Sequence, residues 1–492
     1  MLYNELKSGT DIRGIASDIC GKKVNLTLEA VYDITSAFIV WYCAKNGKKS
    51  SEIKAAIGHD SRITGQKIAK TVIEAMVDSG VNVLDCGLAS TPAMFMTTVE
   101  LGTDCAIEIT ASHHPSDRNG LKFFLPTGSL DAKNISEIIE IANKKEKIIS
   151  EEKGLVEAID FMKIYAKGLR KIICDGIGKE EENLPLKNYK IVVDAGNGVG
   201  GFYVKDVLEP LGADTNGSRY LDPDGMFPNH IPNPEDNDAM ASICEAVKES
   251  CADLGIIFDT DVDRAGCVDK DGSPINRNRL IALSSYIASD GDKDAVIVTD
   301  SVTSEGLREY LENHLGVTHY RYRRGYKNII NKAVELVAEG KNCPIAIETS
   351  GHAALRENYF LDDGAYLVTK IVIELAKGNN ISEILKPLKL PKEELEIRLN
   401  ILNPDFKTYG EMVVAEFEKY VDSHEGYIKA DDNREGIRVK TKNGCFILRL
   451  SVHDPVMPMN FESEIEGGIK EDMDNIKEFF EQFDKLDKSA LY

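Results

Sequence analysis

The chain has 492 residues, more than one hydrophobic core accommodates, so two to four domains are expected. Charged residues make up 28% of the chain and hydrophobic residues 42%, as in an ordinary soluble globular protein. The formal net charge of -22 argues against a nucleic acid or an anionic membrane as partner. A small phosphorylated ligand stays possible, because it needs only a local cluster of Arg and Lys.

The cysteines and the N-terminus indicate a reducing compartment. Ten cysteines are scattered singly, without a C-x-x-C pair, which fits free thiols better than disulfides or a zinc site. The first residues, 1–5, do not resemble a signal peptide. No run approaches the roughly 20 apolar residues of a membrane span. We therefore expect a cytoplasmic protein.

Strands and helices alternate along most of the chain. The pattern predicts helices over 28–45, 65–80, 155–176 and 276–290, and a further helix that opens at Thr91-Pro92. It predicts strands at 53–58, 81–85, 105–110, 189–194, 254–258, 295–299 and 345–347. This alternation indicates an α/β fold with mixed or parallel sheets and crossover helices.

A serine loop follows the predicted strand 105–110. Ser112 is followed by two histidines and by a proline that keeps the loop out of a helix. Asn119-Gly120 predicts a tight turn that folds Lys122 back toward Ser112. A serine beside a cation is a nucleophile, a phosphate carrier or an ordinary loop serine. The lack of a G-x-S-x-G elbow argues against acyl transfer.

Three carboxylates directly follow the fully apolar strand 254–258. Because an extended chain has a period of two, Asp259, Asp261 and Asp263 are expected on one side of it. Like charges this close remain ionised around a cation, so the pattern predicts a divalent metal site with oxygen ligands. An EF-hand does not fit, because its glycine and glutamate positions hold Arg264 and Lys270. Solvated loop carboxylates are the alternative.

A glycine-rich segment, G-N-G-V-G-G, begins at Gly196. It comes close to a dinucleotide-binding fingerprint, but its spacing is not G-x-G-x-x-G. The acidic residue that should end a second strand is also missing, since Asp214 and Asp222 lie in polar loop sequence. We therefore do not expect a nucleotide here.

Two polar segments in the second half of the chain suit a phosphorylated sugar. Residues 320–327 are dense in cations and aromatic rings, which on so acidic a chain favours a phosphate-facing loop over nucleic-acid binding. Glu348, Ser350 and His352 follow the predicted strand 345–347, and these groups suit a site that recognises adjacent sugar hydroxyls. A helix cap is the alternative for the second segment.

The serine loop as a whole resembles a known family. Its string T-A-S-H-H-P-x-x-x-N-G-x-K, over 110–122, is similar to the active-site loop of the α-D-phosphohexomutases. Residues 259–264 resemble that family's magnesium loop D-G-D-x-D-R, with Thr260 in the glycine position. Residues 348–352 resemble its sugar-recognition loop G-E-x-S-G-H, with Ile347 where the leading glycine usually lies.

Segments near both ends resemble the same family. Residues 9–14 are similar to its G-T-D-G-I-R-G segment with one residue missing. Residues 449–455 resemble its phosphate loop R-x-S-G/N-T-x-P, with Val452 and His453 in place of the small residue and the threonine. The serine loop, magnesium loop, sugar-recognition loop and phosphate loop occur in the family's order. The resemblance covers nearly the whole chain.

The resemblance implies a four-domain architecture around a central cleft, with three related mixed-sheet α/β domains and a C-terminal α+β domain. The implied domains are the phosphoserine-loop domain 1–155, the magnesium-loop domain 156–273, the sugar-recognition domain 274–390 and the phosphate-binding domain 391–492.

The resemblance also implies a reaction, most like that of the phosphomannomutase/phosphoglucomutase group. Such an enzyme interconverts hexose 1-phosphate and hexose 6-phosphate through a phosphoserine, here Ser112, and a hexose 1,6-bisphosphate intermediate that also acts as activator. Mg²⁺ is implied, held by the phosphoryl group on Ser112 and by Asp259, Asp261 and Asp263. The implied catalytic residues are Ser112, Lys122 as proton acceptor, Arg13, Arg264 and His113. The implied substrate-binding residues are Glu348, Ser350, His352, Arg324, Arg438, Arg449, Ser451 and His453.

The implied partners are small-molecule hexose phosphates, and the chain is expected to act as a monomer or dimer. Three alternatives stay open at this point. One is a phosphoglucosamine mutase of the same family. Another is a haloacid-dehalogenase-type phosphotransferase with Asp259 as nucleophile and Asp261 as acid/base, which leaves the serine loop unexplained. The last is a non-catalytic sugar-phosphate sensor, against which the intact nucleophile, metal ligands and base count.

Overall fold

The structure is a computed structural model, and it describes residues 3–432, 434–451 and 454–492. The predicted phosphate ligand His453 and its neighbour Val452 lie outside the described residues, so the role of His453 stays a prediction. In the described part of the chain, no helix has both the length and the apolar character needed to cross a membrane.

The described chain forms two compact units. The first unit runs to Asn276 and adds Ser350–Ala353 and Leu361–Asn379. The second unit consists of Arg277–Thr349, Ala354–Phe360 and Asn380–Tyr492.

The first unit begins with an eight-stranded mixed sheet. Its strands are β1 (Lys7–Ser8), β2 (Asp11–Ile15), β3 (Lys54–His59), β4 (Asn82–Leu88), β5 (Cys105–Ile109), β6 (Arg118–Leu125), β7 (Gly128–Ser129) and β8 (Val156–Ala158). They lie in the order β1-β2-β6-β5-β3-β4-β8, with β7 paired to β6. The helices of this part are α1 (Leu28–Asn46), α2 (Gly65–Asp78), α3 (Thr91–Glu100) and α4 (Ala132–Asn143).

Local sequence explains where these helices begin and end. The side chain of Thr27 caps α1 by accepting from Ala30 N, and Gly47, with a φ of 67°, ends that helix. Ser90 caps α3 in the same way, ahead of its first-turn proline. The apolar faces of α1, α2 and α4 pack together with residues of the sheet in one core.

The sheet order brings three chemically active segments together. β5 lies between β3, to which it is parallel, and β6, to which it is antiparallel. β2 pairs with the other side of β6, and Arg13 lies opposite Gly120 in that pair. The loop after β5, which carries Ser112, therefore lies near the end of β3 and near β6, which carries Lys122.

A second, four-stranded sheet completes most of the first unit. Its strands are β9 (Ile191–Asp194), β10 (Leu254–Phe258), β11 (Ala265–Asp269) and β12 (Pro274–Ile275), and its helices are α5 (Phe161–Ile177) and α6 (Asn237–Ser250). The order is β12-β11-β10-β9, with β10 parallel to β9 and antiparallel to β11. The acidic loop is the connection between β10 and β11.

The third sheet has five strands. They are β13 (Ala295–Thr299), β14 (Thr318–Arg321), β15 (Asn342–Ile347), β16 (Ala353–Leu355) and β17 (Leu361–Asp362), in the order β14-β13-β15-β16-β17. The helices along this segment are α7 (Arg277–Ser289), α8 (Glu305–Glu309), α9 (Tyr326–Ala338), α10 (Gly364–Ala376) and α11 (Ile381–Leu385). A π-helical turn, Tyr310–Leu315, continues α8, whereas α10 belongs to the first unit.

The C-terminal sheet is antiparallel. Its strands are β18 (Glu393–Ile401), β19 (Ile428–Lys429), β20 (Ile437–Lys440), β21 (Gly444–Leu448), β22 (Val456–Ser463) and β23 (Leu486–Asp487), and its helices are α12 (Phe406–Ser423) and α13 (Gly468–Glu481). The order is β19-β20-β21-β22-β18-β23. The predicted fold class, three mixed-sheet α/β domains and a C-terminal sheet-rich domain, is confirmed. The bounds of the four predicted domains stay a prediction.

Two local predictions are wrong. Asn119-Gly120 is not a turn, because Asn119 and Gly120 lie in β6. The chain reverses earlier, at Pro115, whose carbonyl accepts from Arg118 N at 3.0 Å. Glycine is required at 120 because an added Cβ would lie 2.3 Å from Ile12 O in β2. The helix predicted from 155 begins only at Phe161, since the residues before it pair with β4 as the edge strand β8.

Candidate active site

Ser112 lies just beyond β5, and only 4% of its surface is exposed. Its φ is 48°, a left-handed conformation that residues with a Cβ seldom adopt. Its backbone N–H donates to Thr110 Oγ1 at 2.8 Å. The chain therefore bends sharply where the serine hydroxyl is presented.

The serine hydroxyl contacts the loop after β10. Ser112 Oγ donates to Asp259 Oδ2 at 3.1 Å and lies 3.4 Å from Arg264 Nη2. It also lies 3.3 Å from Nδ1 of the neighbouring His113. A hydroxyl, a carboxylate and a guanidinium thus meet at one point.

The three predicted metal ligands converge. One carboxylate oxygen from each of Asp259, Asp261 and Asp263 lies within 4.8 Å of the others, and all three residues are buried. The sequence predicted that they emerge on one side of an extended chain, and this prediction is wrong. The loop instead folds into a turn in which Val262 has a φ of 65°, whereas Thr260 keeps a negative φ.

The trio fits a hard divalent cation. Among the described residues, neither Asp261 Oδ1 nor Asp263 Oδ1 has a hydrogen-bond partner, although both oxygens are buried. An orphaned buried carboxylate oxygen is costly unless a cation meets it. Clustered carboxylate oxygens are the ligands that Mg²⁺ prefers. The residues present therefore match the predicted magnesium site.

The carboxylates of the trio differ in their electrostatics. Burial, together with the charge of Asp263, raises the pKa of Asp259 well above its ordinary value. Burial alone would also raise the pKa of Asp263, but the charges of Lys122, His352 and Arg264 outweigh it and hold that pKa below its ordinary value. A repelling cluster of this kind is what a cation would stabilise.

Lys122 extends from β6 to the same cluster. Its Nζ donates to Asp263 Oδ2 at 2.5 Å and lies 3.8 Å from Asp261 Oδ2. The predicted proton acceptor and the predicted metal ligands are therefore in direct contact.

The other predicted catalytic side chains surround the serine loop. Arg264 is buried and donates from Nε to Asp259 Oδ2 at 3.1 Å. Arg13 Nη2 lies 2.8 Å from Asp11 Oδ2, and its Nη1 donates to Ala111 O at 3.4 Å. Burial and the charge of Arg264 lower the pKa of His113 to about 2, so its imidazole is neutral.

His352, the residue directly before β16, joins the cluster. Its Nδ1 is hydrogen-bonded to Asp362 Oδ2. His352, Asp362 and Asp263 form a second cluster of side chains with metal-ligand character. Burial opposes protonation, but the charges of Asp362 and Asp263 raise the pKa of His352 to about 9. Ser350 belongs to the same unit and is buried.

The second unit contains the rest of the predicted sugar and phosphate groups. Glu348, at the end of β15, accepts from Gly325 N at 2.5 Å. Arg324, the residue before Gly325, donates from its backbone N to Glu435 Oε2 at 3.2 Å. Its Nη1 lies 3.9 Å from Glu396 Oε2.

The C-terminal domain contributes two buried arginines with different surroundings. Arg449 Nη2 donates to Asn460 Oδ1 at 3.1 Å, and Nη1 lies 4.0 Å from Glu435 Oε2. Arg438 contacts interior acceptors, including Ser301 O at 3.1 Å and Thr303 O at 2.9 Å. That Arg438 binds phosphate stays a prediction, and so does the role of Ser451, whose Oγ accepts from Asp454 N at 3.2 Å.

Sequence reasoning missed several charged groups at these sites. In the first unit they are Asp60, Arg62 and Glu108, and in the second they are Asp300 and Glu435. Asp60 and Arg62 offered a signal, since they follow strand β3, beside the strand that leads to Ser112. Glu108 offered another, as a lone acid inside an apolar strand.

Comparison with known proteins adds a family match in three segments. The descriptions are Phosphoglucomutase/phosphomannomutase, alpha/beta/alpha domain I over residues 6–148, domain II over 165–272 and domain III over 276–390.

Individual proteins resemble the chain over nearly its full length. A phosphoglucomutase of Neisseria gonorrhoeae is 28% identical over 96% of this chain and 95% of its own. A phosphomannomutase/phosphoglucomutase of Pseudomonas aeruginosa is 28% identical over 98% and 96%. A solved phosphoglucomutase/phosphomannomutase family protein of Burkholderia thailandensis shares the fold, with a TM-score of 0.80, 23% identity and 98% of both chains covered.

Proposed function

The chain belongs to the phosphoglucomutase/phosphomannomutase family and is a phosphohexomutase, and from this we propose that it interconverts the 1- and 6-phosphates of glucose and mannose with Ser112 as phosphoryl carrier. One observation carries the assignment of the carrier. Ser112 Oγ lies within hydrogen-bond distance of Asp259 and beside Arg264, at a cluster of buried carboxylates.

Enzymes of this family depend on Mg²⁺ and use a phosphoserine. We assign Asp259, Asp261 and Asp263 as the protein ligands of the ion, because one carboxylate oxygen from each lies within 4.8 Å of the others. Among the described residues, one buried oxygen of Asp261 and one of Asp263 also have no hydrogen-bond partner. Bound there, Mg²⁺ would supply positive charge that offsets the negative charge of a phosphoryl group in transfer.

The protein's own side chains account for the proton and the remaining charge. We assign Lys122 to accept the proton of the attacking sugar hydroxyl, a role that requires its ammonium group, which donates to Asp263, to lose a proton first. As the sugar O–P bond forms, the Ser112 Oγ–P bond breaks and its electron pair remains on Oγ. Arg264 and Arg13 add positive charge near the loop, and the neutral His113 lies beside Oγ as a hydrogen-bond partner.

Return of a phosphoryl group to Ser112 from the other end of a hexose 1,6-bisphosphate completes the reaction. We propose that this bisphosphate is both intermediate and activator. Glu348, Ser350 and His352 are proposed to recognise sugar hydroxyls. The proposed ligands of the distal phosphate are Arg324, Arg438, Arg449, Ser451 and His453.

The homologues are mutases, which leaves the dehalogenase-type and sensor alternatives without support. The phosphoglucosamine mutase alternative concerns the sugar and is decided by the assay below. We further propose that the protein works in the cytoplasm, as a monomer or dimer.

A coupled assay with three sugars tests this proposal. We expect turnover of glucose 1-phosphate and mannose 1-phosphate in the presence of Mg²⁺ and catalytic hexose 1,6-bisphosphate, and weaker turnover of glucosamine 1-phosphate. The Ser112→Ala variant, as control, should turn over none of them. A preference for glucosamine 1-phosphate would contradict the proposed sugar class. Turnover that needs no bisphosphate, even in enzyme stripped of phosphate, would contradict the proposed activator.

A further inference from the structure

The guanidinium of Arg62 lies against the backbone of the serine loop. Only 2% of Arg62 is exposed. Its Nη1 donates to Pro115 O at 2.7 Å and to Arg118 O at 2.9 Å. Its Nη2 donates to His114 O at 2.6 Å and also to Ser112 O. Three carbonyl groups of the serine loop and the carbonyl of Arg118, the first residue of β6, therefore converge on one side chain.

A buried carboxylate connects Arg62 to the other side of the loop. Asp60 Oδ2 lies 3.2 Å from Arg62 Nε and accepts from Thr110 Oγ1 at 2.7 Å. Thr110 Oγ1 in turn accepts from Ser112 N at 2.8 Å. Through this ion pair and these hydrogen bonds, Asp60 and Arg62 hold both the amide and the carbonyl of Ser112.

Residues 225–227, in the same unit, pack against this arginine. The ring of Phe227 lies 5.3 Å from Arg62 Cζ. Nearby, Gly225 approaches so closely that an added Cβ would lie 2.4 Å from Ile63 N and 2.5 Å from Ser61 O. Arg62 is thus enclosed by this segment as well as by the serine loop, which accounts for its burial.

We propose that Arg62 and Asp60 are positioning residues that keep Ser112 Oγ in place for phosphoryl transfer, an inference that rests on the proposed role of Ser112. A backbone with a φ of 48° persists only when surrounding bonds hold it. Arg62 contacts backbone carbonyls and not the reacting atoms, so it acts through the loop. A lysine at 62 would keep the charge, but it lacks the planar fork that reaches four carbonyls.

Steady-state kinetics of Arg62→Lys test the proposal. We expect kcat to fall roughly 100-fold, as a misplaced nucleophile would cause, with KM within about threefold of the parent value. Thr110→Val, which removes the link to Ser112 N and keeps the side-chain volume, should lower kcat roughly tenfold. Its milder change decides the question if the Arg62 variant does not fold.

Arg170→Lys is the matched control. Like Arg62, that guanidinium contacts a carboxylate and the backbone, but it reaches only one carbonyl: it donates to Glu181 Oε1 at 2.9 Å and to Asp206 O at 2.6 Å, and neither residue belongs to the serine loop. It should lower thermal stability and leave kcat unchanged.

Two distinct results would overturn the inference. One is a folded Arg62→Lys or Thr110→Val protein with kcat within threefold of the parent. The other is a loss of activity matched by the control. The intact mass of the parent enzyme separates this failure from failure of the proposed function. If the parent turns over without phosphorylation of Ser112, the carrier role itself is wrong.

Discussion

At the scale of single residues, Glu108 is an acid buried without a hydrogen-bond partner in the described chain. It is the fourth of the five residues of β5, directly opposite Lys122, and it is fully buried. Within the described chain, neither of its carboxylate oxygens has a hydrogen-bond partner. Burial, helped by the charges of Asp60 and Asp261, raises its pKa well above the ordinary value.

This raised pKa predicts a pH-dependent stability. Between the ordinary pKa of about 4.3 and the raised value, the folded state holds a proton that the unfolded chain releases. Stability of the first unit should therefore fall as pH rises through this window. Glu108→Met removes both the titration and an unpaired polar group, and it should raise the free energy of unfolding by about 1–3 kcal/mol at neutral pH.

Urea denaturation at several pH values from about 5 to about 8 measures this difference. The gap between Glu108→Met and the parent should widen as pH rises. Glu108→Gln is the control, because an amide keeps the polarity but does not titrate. A gap that stays constant with pH would show that Glu108 does not hold a proton in the folded state.

At the scale of elements, the contact between β2 and β6 determines where Arg13 and Lys122 lie. Gly120 allows that contact, since an added Cβ would lie 2.3 Å from Ile12 O and 2.8 Å from Thr110 O. Gly120→Ala must separate the strands, so we expect a loss of stability of about 1–3 kcal/mol together with a fall in kcat. Thermal denaturation and the mutase assay measure both effects.

Gly168→Ala is the control for that substitution. Gly168 lies inside α5, and a Cβ added there meets no atom within 4 Å. Alanine should therefore stabilise the helix by about 1 kcal/mol and leave kcat unchanged. Equal behaviour of the two variants would contradict the account of the strand contact.

Helices α1 and α3 and strand β6 show what local sequence predicts and what it does not. Helices α1 and α3 begin where Thr27 and Ser90 precede them, because capping is a local interaction. Asn119-Gly120 has the composition of a turn, but pairing with β2 and β5 overrides that preference. The glycine is needed for close packing between strands, which local sequence does not reveal.

At the scale of the whole molecule, the two units contain different parts of the chemistry. The first contains Ser112, the acidic trio and Lys122, and the second contains Glu348 and the phosphate-binding candidates. The resemblance of the loops indicated the family and these residues. It did not indicate Arg62 or Glu108, because their importance comes from contacts between residues far apart in sequence. Contacts of this kind follow from the tertiary fold.

The central claim is that Ser112 carries and transfers the phosphoryl group, and one measurement tests it most directly. Purified enzyme is incubated with hexose 1,6-bisphosphate, digested and mapped by mass spectrometry, before and after a chase with excess hexose 6-phosphate. We predict an acid-stable gain of about 80 Da on Ser112 that the chase removes, with no gain there in Ser112→Ala. A hydroxylamine-labile phosphoryl group on Asp259, or full turnover with Ser112 unmodified, would contradict it.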